Sequence, residues 1–389
     1  MKIAIISNSA FNIYNFRLSL AKKIRESGYE VFFVAPYDSY TPKIIENGFH
    51  IEDIYINPKG SNIIEDKNTI DDFKRIFKKT NPSLILNFTV KPNIYATLAA
   101  SFLNIPAINT VTGLGTVFIK EDFVTNVVSI LYRVSFKRAS KIFFQNSEDR
   151  DFFIKRKIVT RENSSVVPGS GVDTKRFSPK KKVKYQDKFV FLFIGRMLFD
   201  KGVKEYIEAA KIIKSRYKNV EFCLLGPLDA DNKTLVSKRN MYDWVIDGAV
   251  TYLGSSLKVE EFIRNSDCVV LPSYREGLPK SLLEASAMEK PLIATDVTGC
   301  RDVVKDGENG FLCEAKSVDS LVLAFEKMLK LSSEERAKMG KRARNMVIEK
   351  FDEKIVAKTY LNEIYKIVPL NLKFRFKYNF ASKSSYKNI

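Results

Sequence analysis

The chain has 389 residues, 45% hydrophobic and 28% charged, and its 64 Lys and Arg against 45 Asp and Glu give a formal net charge of +19. Such a length exceeds one ordinary core and suits two domains of about 150 to 200 residues, and the composition excludes a disordered chain. The longest apolar runs, such as 124–134, are interrupted or fall short of the ~18 residues that a membrane-spanning helix needs.

In chain order, the N-terminal run Met1-Lys2-Ile3-Ala4-Ile5-Ile6-Ser7 is too short for a signal peptide and reads as a buried first strand, so a cytosolic protein is expected. Further strand candidates rich in Val, Ile or Phe fall at 30–35, 84–88, 107–110, 141–145 and 165–167. Helical spacing at 14–27 and 93–103 lies between them, a βαβ pattern that predicts a parallel sheet. The pattern restarts with strands at 189–194, 220–225, 250–253, 267–271, 292–294 and 310–312 and helices at 203–216, 280–288 and 318–331. The polar stretch of Lys180, Lys181, Lys182, Lys184 and Asp187 reads as the linker. The expectation is an α/β protein of two doubly wound domains, 1–185 and 186–350, whose sheets present their carboxyl ends to a shared cleft. Beyond 331 the chain reads as helical at 333–350 and 354–367, ending before Pro369; 351–367 is expected to cross back to the first domain, and 368–389 to form a basic, aromatic tail.

Charge is unevenly spread: Lys and Arg exceed Asp and Glu by 12 in residues 1–185, by 1 in 186–365 and by 6 in 366–389. Such a field favours an anionic partner, whether nucleic acid, an acidic bilayer leaflet or a phosphorylated substrate. Cys223, Cys268, Cys300 and Cys313 have no metal-like C-x-x-C spacing and read as buried, reduced thiols.

The chemistry concentrates in Glu276-Gly277-Leu278-Pro279-Lys280-Ser281-Leu282-Leu283-Glu284, directly after a strand. On a continuous helix the two carboxylates would stand ~80° apart, but Gly277 and Pro279 forbid that continuity. Glu276 is therefore expected in the strand-to-helix loop, Pro279 at or near the helix start, and Glu284 about one turn in. Backbone N–H groups of Leu278, Lys280, Ser281 and Leu282 then form an anion site at a helix N-terminus. An ordinary capped helix with exposed acids would carry the same residues.

The segment resembles the E-x7-E motif of family 4 retaining glycosyltransferases, which have the GT-B architecture of two Rossmann-like domains facing a central cleft. Three further elements fit in chain order: Pro168-Gly169-Ser170-Gly171-Val172-Asp173 with Phe177, Gly195-Arg196-Met197 with Lys201-Gly202, and Gly226 after Leu224-Leu225. The resemblance implies that Arg196 and Lys201 stabilise the departing nucleotide diphosphate without a metal. It also implies that Glu284 accepts from the ribose hydroxyls, and that Glu276, with the amides of Gly277 and Leu278, holds a donor-sugar hydroxyl. In the first domain Lys91, Asn93, Thr112, Gly113 and Gly115 follow strands and, with Arg17, are expected to line the opposite wall, their glycines admitting a ligand closely.

Phe16-Arg17, Lys91, the Gly113-Leu114-Gly115 loop, the run Gly202-Val203-Lys204-Glu205 and Leu271-Pro272-Ser273-Tyr274 resemble the subgroup that builds bacterial capsule, O-antigen and lipid-linked oligosaccharide glycans, N-acetylgalactosaminyl transfer in bacterial N-glycosylation included. This implies a UDP-sugar donor, often an N-acetylhexosamine, a polyprenyl-diphosphate-linked acceptor, and a peripheral position on an anionic cytoplasmic membrane surface. A nucleotide-sugar epimerase or a phosphorylase on the same scaffold is the alternative. Nucleic acid is not expected, since no base-reading or stacking motif accompanies the charge. Asp229-Ala230-Asp231 reads as a surface loop and not a metal site, and His50, the single histidine, as structural. The loop after the first strand has no glycine, which argues against a dinucleotide dehydrogenase.

Overall fold

A computed structural model of the chain describes residues 1–57, 63–114, 123–181, 188–228 and 234–370. Two parallel sheets organise it. The first is built from β1 (Lys2–Ile6), β2 (Glu30–Val34), β3 (His50–Glu52), β4 (Leu84–Phe88), β5 (Ala107–Val111), β6 (Lys141–Phe144) and β7 (Ser164–Val166), in the order β3-β2-β1-β4-β5-β6-β7. The second contains β8 (Phe189–Ile194), β9 (Val220–Leu225), β10 (Thr251–Tyr252), β11 (Cys268–Leu271), β12 (Leu292–Thr295) and β13 (Gly310–Cys313), in the order β10-β9-β8-β11-β12-β13. Both orders reverse direction beside their first strand, between β1 and β4 and between β8 and β11. In an open α/β sheet, that reversal opens the crevice at the carboxyl ends where ligands bind.

The central strands are near-continuous apolar runs because helices cover both faces of a parallel sheet. In the second sheet, Phe191, Phe193, Phe222, Tyr206 and Phe325 are buried together, with the Phe191 and Phe325 ring centroids 4.6 Å apart. Their burial fixes helices Val203–Arg216 and Val318–Lys330 against the strands. The four cysteines are buried and free.

Residue contacts divide the chain into two compact units: 1–110 with 130–142 and 357–389, and 111–129 with 143–356. Helix Glu353–Ile367 begins in the second unit and runs on in the first, where Tyr360 shares a 2.7 Å hydrogen bond with Thr110 Oγ1. The linker residues Lys182, Lys184 and Asp187 and the tail 371–389 lie outside the described residues.

Three details differ from the sequence reading. The single helix expected at 14–27 is two helices, Ala10–Phe16 and Leu18–Glu26, broken at Arg17. The expected helix at 93–103 opens as a π-helix, Pro92–Ala96, before the α-helix Thr97–Ser101. β3 is an additional strand; its His50 is exposed and faces Glu52 at 2.8 Å.

Candidate functional site

Within the second unit, the loops after β8 and β11 flank the reversal point and carry the Gly-Arg and E-x7-E motifs. After β11 the chain turns at 272–279, and Pro279 caps helix Lys280–Ala287. The first intrahelical bond runs from Leu283 N–H to the Pro279 carbonyl at 3.3 Å, so the Ser281 and Leu282 amides lie ahead of the helix ladder.

The motif glycines have a packing cause. A Cβ on Gly226 would stand 1.8 Å from the Gly195 carbonyl oxygen, and one on Gly277 2.2 Å from that of Thr112. The glycines thus let neighbouring loops nest backbone to backbone. This corrects the expectation that the Gly113 loop is open for a ligand's close approach: a Cβ on Gly113 would meet the Gly277 backbone at 3.2 Å. Gly115, Asp229 and Asp231 lie outside the described residues.

Lys201 and Glu276, 75 positions apart, meet with Nζ and Oε1 at 2.5 Å. The adjacency of β8 and β11 brings them together, and both side chains are mostly withdrawn from solvent, at 22% and 12% exposure. Arg196 is exposed in the loop just after β8.

Glu284 is buried beneath the helix start, with Lys280 Nζ 3.8 Å from its Oε1. Burial raises its pKa above the usual glutamate range, while the cations Lys280 and Arg176 oppose that rise. Arg176, which the sequence reading did not single out, lies within the electrostatic reach of Glu284. It donates to Glu260 at 2.8 Å and to the Leu257 carbonyl at 2.7 Å, and its field reaches Glu284. Its only sequence signal is its place between Asp173 and Phe177 of the junction motif, where the Asp173 carboxylate accepts from the Arg176 amide at 3.0 Å.

In the first unit, the expected wall residues are less open than anticipated. Asn93 is fully buried, donating to the Thr110 carbonyl at 2.9 Å and accepting from the Thr110 amide at 3.3 Å. It therefore fixes the end of β5 and does not line an open wall. Arg17 is likewise buried, its guanidinium 4.0 Å from the centroid of the Phe88 ring, and desolvation lowers its pKa to about 10. Lys91 Nζ lies 3.7 Å from Asp66.

Comparison with known proteins agrees with this geometry. A family model described as "Glycosyl transferase 4-like" matches residues 2–146, and one described as "Glycosyl transferases group 1" matches 174–346. The chain is 30% identical to an N,N'-diacetylbacillosaminyl-diphospho-undecaprenol alpha-1,3-N-acetylgalactosaminyltransferase of Campylobacter jejuni, over 95% of this chain and 99% of that protein. It is 26% identical to a UDP-Gal:alpha-D-GlcNAc-diphosphoundecaprenol alpha-1,3-galactosyltransferase of Escherichia coli, over 75% of this chain and 77% of that one. The crystal structure of Anabaena HepE in complex with UDP and glucose superposes with a TM-score of 0.79 at 16% identity, covering 94% of this chain and 99% of that one, and shares the fold. The chain belongs to the group 1, family 4 glycosyltransferases and is an enzyme of the GT-B fold.

Proposed function

We propose that the chain transfers a sugar from a UDP-sugar to a polyprenyl-diphosphate-linked glycan with retention of configuration, and that the sugar is an N-acetylhexosamine such as N-acetylgalactosamine. The observation that carries this reading is the meeting of Lys201 and Glu276 beside a helix start whose next turn holds the buried Glu284. The Campylobacter relative's name supplies the acceptor class and the sugar, and the Escherichia relative's name supplies the nucleotide.

Breaking the sugar–phosphate bond leaves negative charge on the departing UDP. Lys201 and Arg196 meet that charge as it grows, Lys201 from a setting largely withdrawn from water. The Ser281 and Leu282 amides add a fixed positive end to the same region. Glu284 accepts from the ribose hydroxyls, and Arg176 and Lys280 support its ionised form. Glu276 has two tasks in sequence: it neutralises Lys201 in the resting protein, and it accepts from a hydroxyl of the bound donor sugar. Neither carboxylate is assigned proton transfer.

The acceptor's lipid directs attention to the basic first half. Helix Phe123–Phe136 exposes Ile130 and Val134 one turn apart, and exposed Lys137 and Arg138 follow directly. An apolar stripe with a basic end suits the surface of an anionic leaflet. No helix among the described residues is long and apolar enough to cross a membrane.

Saturation-transfer NMR with a panel of UDP-, GDP- and dTDP-sugars tests the donor. Transfer to uracil and ribose protons from a UDP-N-acetylhexosamine, lost in Glu284→Ala, is expected. Equal signals from all nucleotides would contradict the assignment.

A further inference from the structure

The turn at 275–278 carries Glu276 and the Gly277 and Leu278 amides, and a backbone bond anchors it from the β12 side: Glu276 N–H donates to the Thr298 carbonyl at 3.2 Å. Lys201 holds the Glu276 carboxylate and Ser273 Oγ donates to the Arg275 carbonyl at 3.4 Å, and further supports come from the segment 145–149, which belongs to the same unit and opens helix Ser147–Lys155. Asn146 Nδ2 donates to the Gly277 carbonyl at 2.9 Å. Arg275 Nη2 pairs with Asp149 Oδ1. Thr298, which receives the Glu276 amide, donates through Oγ1 to Glu148 at 2.6 Å, and Arg301 adds a 3.0 Å contact to the same carboxylate.

These contacts close a ring: Asp149 to Arg275, along the chain to Glu276, across to Thr298, on to Glu148, and along the chain to Asp149. An acid in the first turn of a helix is ordinarily exposed, where it offsets the helix dipole at little desolvation cost. Asp149 is instead 0% exposed. Burying a carboxylate is costly unless it is paired and hydrogen-bonded. Its other oxygen accepts from Asn146 Nδ2 at 3.0 Å, and Asn146 Oδ1 in turn accepts from the Asp149 amide at 2.7 Å. Burial raises the Asp149 carboxyl above the usual aspartate range, and the Arg275 charge and the Asn146 hydrogen bond oppose that rise.

Stability alone does not account for the arrangement. Arg275 Nε is buried with no hydrogen-bond partner among the described residues, so the guanidinium is not placed to maximise its bonds. Asp149 does hold it where the next residue is Glu276.

We propose that Asp149 is a positioning residue for the sugar-contacting turn: through Arg275, and with Asn146 on the Gly277 carbonyl, it sets the Glu276 carboxylate and the Gly277 and Leu278 amides. The inference rests on the reading of that turn as the donor-sugar contact. Nucleotide contacts are assigned to other residues, so the ring governs sugar transfer and leaves UDP binding largely untouched.

The test compares Asp149→Asn, Arg275→Met and the double variant by steady-state transfer, by UDP affinity and by amide hydrogen exchange over 276–278. Each single variant should lower kcat/KM for the donor roughly 10- to 100-fold, the cost of an ångström-scale misplacement. UDP affinity should stay within about threefold, and the double variant should be no worse than the weaker single, as two members of one linkage behave. Exchange at the Glu276 amide, whose bond to the Thr298 carbonyl is part of the ring, should quicken in all three. Arg275 is about one-third exposed, at 32%, so Arg275→Met keeps the test open should Asp149→Asn not fold. Wild-type kcat/KM in Arg275→Met, multiplying losses in the double variant, or UDP affinity falling in step with turnover would each overturn the proposal. If the wild-type protein transferred no sugar at all, the donor reading would fall; unchanged amide exchange in the variants would separately overturn the ring.

Discussion

Replacing Lys201 with Ala removes a cation held 2.5 Å from Glu276 with about one-fifth of its side chain exposed, at 22%. At an effective dielectric of ~20, a unit charge about 4 Å from the leaving diphosphate contributes ~4 kcal/mol, falling to ~1 kcal/mol where water screens it fully. The partial withdrawal of Lys201 places it toward the stronger end. Loss of one such donor costs roughly 10² to 10³ in turnover, and that is the expected drop in kcat for Lys201→Ala. The variant also strands Glu276, whose side chain is 12% exposed, so the donor KM should rise as well. Glu276→Gln restores local neutrality, and Lys201→Ala combined with Glu276→Gln should therefore lose less than the product of the two single losses. Steady-state transfer kinetics, with Tm as the folding control, measure all three variants. Turnover within about threefold of wild type in Lys201→Ala, with Tm unchanged, would refute the role given to the pair.

Uridine affinity should fall on acidification at a pH above the usual glutamate range, because Glu284 must be ionised to accept from the ribose and burial raises its pKa. Glu284→Gln should bind about 10- to 100-fold more weakly and lose that acid limb; a wild-type pH profile in the variant would contradict the assignment. Gly226→Ala forces a Cβ to 1.8 Å from the Gly195 carbonyl oxygen at a φ of +148°, so strain and overpacking should each cost about 1–3 kcal/mol, read as a lower denaturation midpoint. An unchanged midpoint would show that the two loops separate easily. Vesicle sedimentation should show binding that rises with the anionic lipid fraction, falls with salt and weakens when residues 371–389 are deleted; equal binding to neutral and anionic vesicles would refute electrostatic attachment.

The two-sheet architecture was legible because parallel strands buried on both faces are apolar throughout, and twelve of them stand out at the spacing of βαβ units. β3 escaped because three residues, two of them polar, give no such run. The geometry of the E-x7-E segment followed from local stereochemistry: Gly277 and Pro279 break the helix wherever the sequence is placed. Contacts set by strand order were not legible. Nothing local pairs Lys201 with Glu276, which meet only because β11 crosses back beside β8. Arg17 reads as a cleft residue, and its burial under Phe88 depends on β4 lying next to β1. Asp149 reads as an ordinary first-turn acid until Arg275 reaches it, and Arg176 as a loop cation until the fold sets it beside Glu260 and within the field of Glu284.

The central claim, transfer of an N-acetylhexosamine from UDP to a polyprenyl-diphosphate-linked glycan, is tested most directly by its product. Wild-type protein incubated with UDP-N-acetylgalactosamine and a short-chain polyprenyl-diphosphate-linked sugar should release UDP and extend the glycan by one residue. NMR of that product should show the anomeric configuration of the donor preserved. An inverted linkage, or UDP release with free sugar and no extended lipid-linked product, would contradict the account.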